Sequence, residues 1–281
     1  MREIKVVAIC GVGLIGGSIG KAFIKKRLAK RIIGIGRNVQ KLKKAVKQKA
    51  ITEFFLDFKK IKEADLVILA TPVIHIEETL KKISPYLKKG CIITDTGSTK
   101  ERIVNVASKY LRKDVYFVGA HPIAGSEKSG VDFSSAELFK GSTCVLTPIK
   151  STNKDALKLI KNLWEKLDAK VIIVTPKEHD KIIALTSHLP HFIACALVLL
   201  ISKNKKDFLP MIGKGFKDTT RIAASNAENW CEIAISNKKN ISNGIKDFIR
   251  IIKKISNSLD KNSIKDLKEL LLKSKSIREK I

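Results

Sequence analysis

The sequence predicts an α/β fold, with an amino-terminal domain built on a parallel sheet and an all-α domain after it. Short β-branched runs alternate with Lys-rich amphipathic segments up to about residue 175, and no strand-like run follows. Uninterrupted apolar strands joined by helical crossovers are typical of a parallel sheet that helices cover on both faces. We therefore assign residues 1–175 to the sheet domain and residues 176–281 to the helical domain.

The two domains differ in the spacing of their apolar residues. The expected strands are the runs 5–10, 32–35, 66–70, 91–94, 116–119, 143–147 and 171–174, with helices at 18–27 and 39–49 between the early ones. Beyond residue 176, long helices are expected at 177–202, 227–235, 241–259 and 264–280. In the third of these, Ile245, Ile249 and Ile252 recur three or four residues apart, which is one face of a helix.

Composition narrows the class of protein. Apolar residues make up 44% and charged residues 29% of the chain, so it can bury a sizeable core. Lysine and arginine total 55 against 27 acidic residues, a net charge of +28, yet only nine of the 55 are arginine. Because guanidinium groups read bases and phosphates best, this balance argues against nucleic acid as a partner and favours an anionic small-molecule substrate or cofactor.

Cysteine spacing and hydropathy indicate the cellular compartment in which the protein is expected. The five cysteines stand singly without Cys-x-x-Cys spacing, so we expect no metal site, no disulfide framework and a reducing cytoplasm. The longest uncharged apolar run, 192–201, is shorter than the roughly 20 residues that a spanning helix needs. We expect a cytoplasmic protein with no signal peptide and no membrane partner.

A glycine-rich turn follows the first expected strand and opens the first helix. Gly11, Gly13 and Gly16 have the spacing G-x-G-x-x-G, with Leu14 and Ile15 between the last two. In a dinucleotide site the first glycine permits the tight turn, the second admits a pyrophosphate and the third lets helix and strand pack closely. The flanking strands and helix favour a Rossmann-type cofactor site over a structural turn.

The end of the second strand selects between nicotinamide cofactors. An acidic residue there would bind the ribose hydroxyls of NAD, but the sequence reads Gly36-Arg37-Asn38. Arg37 could pair with the 2′-phosphate of NADP, or it could lie in solvent and stack on the adenine. We expect NAD or NADP as cofactor, with NADP acceptance favoured by Arg37. Thr71 and Pro72, which follow the strand at 66–70, are expected as further cofactor contacts.

Two polar residues follow strands at the edge where open α/β sheets bind ligands. His121 comes just after the strand at 116–119, and Ser98 follows the strand that ends at residue 94. A histidine there can be a catalytic base, and Ser98 can bond a substrate hydroxyl or orient His121. The alternatives are a histidine that caps a loop and a serine in the turn before a helix. His179, which opens the linking helix beside Asp180, is expected to be structural, with support of the active-site residues from behind as the alternative.

A second group of candidates lies in the helical domain. Ser187, His188 and His191 begin an apolar helix, and Arg221 lies among small and polar residues. A planar guanidinium suits a substrate carboxylate, although pairing with Asp218 three residues earlier explains Arg221 equally well. Histidines three residues apart could bind a metal, but no cysteine or acidic cluster supplies a third ligand.

Taken in order, these segments resemble those of the prephenate dehydrogenase family. The motifs that carry the resemblance are Gly13-Leu-Ile-Gly16-Gly-Ser18, Asp95-Thr-Gly-Ser98, His121-Pro-Ile-Ala-Gly-Ser-Glu127-Lys-Ser-Gly130, Ser187-His-Leu-Pro-His191 and Gly215-Phe-Lys-Asp218-Thr-Thr-Arg221, with Trp230 nine residues on. They run from about residue 4 to residue 235. The glycine motif is shared by many dehydrogenases, whereas the later segments are much more specific.

The resemblance implies oxidative decarboxylation of prephenate to 4-hydroxyphenylpyruvate with reduction of NAD(P), in tyrosine biosynthesis, or of arogenate to tyrosine. His121 matches the catalytic histidine on the C4 hydroxyl of the substrate, and Ser98 matches its hydroxyl partner. Arg221 and His191 match groups on the carboxylate side. The other matches expected at the substrate are Ser126, Glu127, Ser187, His188 and Trp230. The resemblance also implies a homodimer built through the helical domain.

The sequence departs from the family pattern at three places. The acid after the second strand is missing, Lys214 stands where a small residue is common, and Ser225-Asn-Ala-Glu-Asn-Trp230 differs from the usual Ser-Asp-Pro start. Two rival hypotheses are kept. Another two-domain dehydrogenase of the β-hydroxyacid type predicts a catalytic lysine in the helical domain. A non-catalytic nucleotide sensor predicts cofactor binding without turnover.

Overall fold

Eight strands form one sheet in the first part of the molecule. The computed structural model describes residues 3–125, 128–202 and 206–280. The strands are β1 (Val6–Cys10), β2 (Arg31–Ile35), β3 (Glu53–Phe55), β4 (Leu66–Leu69), β5 (Ile92–Asp95), β6 (Tyr116–Ile123), β7 (Thr143–Thr147) and β8 (Lys170–Ile173). They lie in the order β3-β2-β1-β4-β5-β6-β7-β8. The predicted α/β class is confirmed, and β3 is a strand that the sequence analysis did not include.

Strand direction changes at one place in the sheet. The strands β1 to β6 pair in parallel, β7 runs antiparallel to β6, and β8 is again parallel to β7. The prediction of a parallel sheet therefore holds for β1 to β6 and not for β7. Antiparallel pairing with β7 also lengthens β6 beyond the predicted 116–119, so that His121 lies within the strand, opposite Val145.

Helices cover the sheet and form the second part of the chain. They are α1 (Leu14–Lys25), α2 (Val39–Lys47), α3 (Val73–Ile83), α4 (Glu101–Tyr110), α5 (Lys154–Lys166), α6 (Pro176–Ile183), α7 (Leu189–Ser202), α8 (Lys214–Thr220), α9 (Ala227–Ser236), α10 (Lys238–Asp260) and α11 (Ile264–Arg278). A π-helical turn, Ala184–His188, joins α6 to α7, so one helix runs from Pro176 to Ser202.

Side-chain caps fix where several helices begin. The side chain of Asn38 accepts the backbone N–H of Lys41 at the start of α2, at 2.9 Å. At the start of α6, Thr175 and Glu178 form a reciprocal capping box with Pro176 in the first helical position. Such caps satisfy N–H groups that have no partner within the helix. The helical part therefore begins directly after β8.

Apolar side chains pack against both faces of the sheet. Ile9 and Phe23 belong to the cluster on one face, and Ile33 and Leu69 belong to the cluster on the other. All four are at most 2% exposed. Full burial of such a side chain contributes about 1.5–3 kcal/mol. The sheet is thus a firmly packed base for the residues at the carboxyl ends of its strands.

The helix from Pro176 to Ser202 is long and apolar. By length and composition alone it could cross a membrane, and 28% of its most apolar window is buried. It is longer than the uncharged run 192–201, because the helix continues through the polar residues before that run. Leu199 and Leu200 are 63% and 62% exposed. An exposed apolar stripe of this kind marks a surface for another protein or for lipid.

Candidate active site

The turn between β1 and α1 has the shape of a dinucleotide site. Gly11 has a positive φ of 92°, and a Cβ there would lie 2.6 Å from the carbonyl oxygen of Ala70. A Cβ on Gly16 would lie 2.2 Å from the carbonyl oxygen of Gly11. At Gly13 a Cβ would meet nothing within 4 Å. The space that a pyrophosphate needs is therefore open, while the backbone around it is tightly packed.

Two polar features of this turn fit an anionic cofactor. Gly13 precedes α1 without a side-chain cap, so among the described residues no cap occupies the N–H groups of the first turn, which begins Leu14-Ile15. The hydroxyl of Thr71 is buried beside the same turn and has no hydrogen-bond partner in the part of the chain that the structure describes. Pro72, next to it, precedes α3 without a side-chain cap. These residues could hold the pyrophosphate of NAD(P).

Arg37 follows β2 at the same end of the sheet, and its side chain is exposed. A hydrogen bond from Lys82 is the main cause that lowers the pKa of Glu78 on α3, and the charge of Arg37 adds to it. Arg37 therefore lies near Glu78 on α3. Its position suits either the 2′-phosphate of NADP or the face of the adenine.

His121 is the first member of a hydrogen-bonded chain at the carboxyl edge of the sheet. It is half-buried, and its Nδ1 lies 2.8 Å from Nε2 of His179. Nδ1 of His179 lies 2.7 Å from Oδ1 of Asp180. The Asp180 carboxylate also accepts the backbone N–H groups of Lys100, at 2.7 Å, and of Glu101, at 3.0 Å. The chain thus joins β6, α6 and the start of α4.

These bonds determine which ring nitrogens carry protons. An ionised carboxylate only accepts, so His179 donates from Nδ1 to Asp180. Its Nε2 then accepts the proton on Nδ1 of His121. The remaining nitrogen, Nε2 of His121, has no hydrogen and can take a proton from a bound molecule. The arrangement is that of a general base whose imidazole is oriented from behind.

The surroundings of His121 favour its neutral form. Burial is the main cause that lowers its pKa well below the usual value, and His179, Lys100 and His188 lower it further. A neutral imidazole is the form that accepts a proton. His121 is therefore available as a base at neutral pH.

The other side of the site is built where the π-helical turn meets α7. Nδ2 of Asn237 donates to Nδ1 of His188 at 3.2 Å and to the carbonyl of Asp180 at 2.8 Å. The ring of Trp230 stacks on His191 with centroids 3.6 Å apart and meets His188 edge-on. Burial lowers the pKa of His188 to about 4 and also lowers that of His191. Both imidazoles are neutral near pH 7.

The remaining residues predicted at the site are not part of the hydrogen-bonded chain of His121. Arg221 and Ser187 are exposed. Ser98 is half-buried and makes no hydrogen bond to His121 among the described contacts, so the orientation of His121 comes from His179. Ser126 and Glu127, two further predicted substrate residues, lie outside the described residues.

Four residues of the site were not predicted as functional from the sequence. For His179 the sequence favours a structural role and leaves a supporting role at the site as the alternative, and it assigns no role to Asp180, Lys100 or Asn237. Their contacts join residues far apart in the chain, as with His121 and His179, which are 58 residues apart. The adjacent His179-Asp180 pair at the start of the linking helix is the signal that could have found the first two.

The fold and the dinucleotide turn together define the class of dehydrogenases that use a nicotinamide dinucleotide. Family models agree with this class: the nucleotide-binding domain of prephenate dehydrogenase matches residues 19–173, and its dimerization domain matches residues 175–273. The chain belongs to the prephenate dehydrogenase family. The predicted family and enzyme class are confirmed.

Individual relatives extend over nearly the whole chain. A prephenate dehydrogenase of Bacillus subtilis (strain 168) is 35% identical over 99% of this chain and 77% of its own length. The crystal structure of prephenate dehydrogenase from A. aeolicus in complex with hydroxyphenyl propionate and NAD+ has a TM-score of 0.93 at 36% identity, covering 99% of each chain. The Synechocystis arogenate dehydrogenase structure has a TM-score of 0.85 at 28% identity, covering 98% of this chain and 99% of its own.

Proposed function

We propose that the protein catalyses oxidative decarboxylation of prephenate to 4-hydroxyphenylpyruvate with reduction of NAD(P), a step of tyrosine biosynthesis. The observation that carries the proposal is the hydrogen-bonded chain of His121, His179 and Asp180 at the sheet edge that also bears the dinucleotide turn. Oxidation of an alcohol needs a base and a hydride acceptor, and this edge offers a place for both. Family membership supplies the substrate.

The chemistry follows from the proton positions at His121. Nε2 of His121 accepts the proton of the C4 hydroxyl while the hydride on C4 leaves. The bound nicotinamide supplies the hydride acceptor. The bond from the ring to its carboxylate then breaks, CO2 departs, and the electron pair left behind makes the ring aromatic. His121 returns its proton to the phenolic oxygen, so the base is restored for the next turnover.

The substrate is held at its anionic end by residues of the helical part. Arg221 offers a planar guanidinium for a carboxylate, and His191, stacked on Trp230, adds a ring nitrogen. Ser98 would bond the C4 hydroxyl opposite His121. The further substrate contacts in this proposal are Ser126, Glu127, Ser187 and His188. Holding C4 over the nicotinamide is the main contribution that binding makes to rate.

The same proposal covers the cofactor choice. NADP is accepted at least as well as NAD, because Gly36-Arg37-Asn38 presents no carboxylate to repel a 2′-phosphate and Arg37 adds a positive charge. The exposed position of Arg37 after β2 supports this reading.

The proposal also includes the oligomeric state of the enzyme and its location in the cell. A homodimer forms through residues 176–281, supported by the dimerization-domain match and by exposed apolar residues on the long helix and on α10. On α10, Ile249 and Ile252 are each 46% exposed. We place residues 1–175 in the cofactor domain and the enzyme in the cytoplasm, without a nucleic-acid or membrane partner.

Arogenate is the second candidate substrate. The Synechocystis arogenate dehydrogenase resembles this chain over 98% of its residues, and arogenate presents the same ring hydroxyl and ring carboxylate as prephenate. The base, the hydride transfer and the loss of CO2 are identical for both. The two substrates differ only in the side chain that carries the keto or amino group.

One spectrophotometric assay tests these proposals together. Nicotinamide reduction is measured with prephenate and arogenate, each crossed with NAD and NADP, using His121→Asn as the inactive control. We expect turnover of prephenate by the unmodified enzyme. Turnover of arogenate alone would select the second candidate, and no turnover in any of the four combinations would contradict the proposed function.

A further inference from the structure

Lys100 carries a buried charge that the proposed chemistry does not use. It lies between β5 and α4 with its side chain fully buried, and its ammonium pairs with the equally buried carboxylate of Asp95. Burial lowers the pKa of Lys100, and the Asp95 carboxylate opposes that effect. Apolar residues of similar volume are often as stabilising as a buried ion pair, so stability alone does not explain this one.

Lys100 is bonded to both ends of the histidine chain. Its Nζ donates to the carbonyl oxygen of Ala120 at 2.9 Å, directly before His121. Its backbone N–H donates to Oδ1 of Asp180 at 2.7 Å. Asp95 closes the arrangement, because its Oδ1 accepts the N–H of Ala120 at 3.1 Å. One residue thus fixes the backbone that carries His121 and the carboxylate that orients His179.

We propose that Lys100, held by Asp95, is a positioning residue that sets the distance of His121 from His179. The inference rests on the proposed role of His121 as the base. Lys100 affects His121 in two ways. Its hydrogen bonds fix the position of His121, and its positive charge lowers the proton affinity of the His121 imidazole.

Titratable groups approach His121 from every element packed around it. They are His179 and Asp180 on α6, His188 on the π-helical turn, Cys144 on β7, Asp95 on β5, and Lys100 before α4. The charge of Lys100 adds to burial and to His179 in lowering the pKa of His121. Without that charge the pKa rises, so the acidic limb of the kcat profile, where His121 takes up a proton, moves to higher pH.

The test uses Lys100→Met in the full chain, assayed with NAD(P) and the substrate that the unmodified enzyme turns over. Removal of a general base costs about 10²–10⁴-fold in rate, so loss of its positioning should lower kcat by a smaller factor of about tenfold. KM should stay within about threefold, because Lys100 touches no proposed substrate residue. The acidic limb should move up by roughly half a pH unit or more.

A matched control is available at the opposite end of the same sheet. Lys88 donates to Oδ1 of Asp65 at 2.7 Å and to the carbonyl of Glu63 at 3.0 Å, so it combines a Lys–Asp pair with a backbone bond as Lys100 does. Lys88→Met should leave kcat and its pH profile unchanged, whatever it does to the melting temperature. The control separates general destabilisation from an effect on His121.

A second variant covers the case in which Lys100→Met does not fold. Asp95→Asn combined with Lys100→Met leaves no buried charge without its partner and should fold more readily. It should show the same fall in kcat with a smaller shift of the acidic limb. A folded variant of either kind with wild-type kcat and an unmoved limb overturns the inference. If His121→Asn also kept full activity, the proposed function would fail instead, so the two failures are distinguishable.

Discussion

At the scale of single residues, the direction of each hydrogen bond decides what His121 can do. Asp180 accepts two backbone N–H groups as well as the proton of His179. A carboxylate oxygen accepts hydrogen bonds, so these donors fix the direction of the bond from His179. The histidine pair therefore keeps one tautomer, with Nε2 of His121 ready to accept.

Replacement of His121 by asparagine tests this directly. His121→Asn keeps a polar side chain of similar size but has no nitrogen that can act as a base. We expect kcat to fall about 10²–10⁴-fold while substrate affinity stays within severalfold. Steady-state kinetics and equilibrium binding measure the two quantities. A variant with near wild-type kcat at neutral pH would rule out the assigned role.

At the scale of elements, the π-helical turn explains why the histidines of the long helix share one site. His179 and His188 are nine residues apart, which in a regular α-helix is about 180° around the axis. A π-helical turn adds about one residue, which changes that angle by about 100°. A helical wheel drawn from the sequence would therefore place His188 on the wrong face.

The pH dependence of stability tests the burial of His188. Because its pKa is lowered to about 4 in the folded protein, the unfolded chain binds more protons between about pH 6.5 and 4. Stability is fully present above that window and falls as the pH drops through it, by on the order of 3 kcal/mol at most. We expect His188→Gln to flatten this slope in thermal unfolding. His75→Gln, which removes a surface imidazole, is the matched control; an unchanged slope in His188→Gln would contradict the prediction.

The turn after β2 carries the prediction on cofactor choice. Gly36→Asp together with Arg37→Ala should favour NAD, because the new carboxylate would bond the ribose hydroxyls and face the phosphate of NADP. Like charges at close range cost several kcal/mol. The measurement is kcat/KM for both cofactors in the unmodified and doubly substituted enzymes. If kcat/KM of the unmodified enzyme is already more than about tenfold higher for NAD than for NADP, Arg37 does not bind the 2′-phosphate.

At the scale of the whole molecule, sequence patterns predicted what is local and missed what is distant. Runs of β-branched residues located seven of the strands, and the glycine spacing located the cofactor turn, because these signals depend on neighbouring residues. The direction of β7 and the contact of His121 with His179 depend on how distant segments meet. The buried Lys100 looked like any other lysine in a chain with 55 basic residues.

Association of two copies is the prediction at this scale. Leu199→Asp on the exposed stripe of the long helix places a charge where the partner subunit should pack, so the dimer should weaken strongly. Sedimentation over a range of concentrations measures the effect. Lys177→Asp, at the exposed start of the same helix, controls for the added negative charge. A wild-type protein that stays monomeric at micromolar concentration would contradict the proposed dimer.

The bonds of Asp180 have a mechanical consequence for the enzyme. Asp180 lies beside the chain crossing at Thr175-Pro176, whereas the other end of the same helix, at Ser202, is about 33 Å away at 1.5 Å per residue. A small rotation of the helical domain about this crossing would displace His179 very little and the distant end several times farther. Any movement of the far end of this helix about its start would therefore leave the contact between His121 and His179 nearly unchanged.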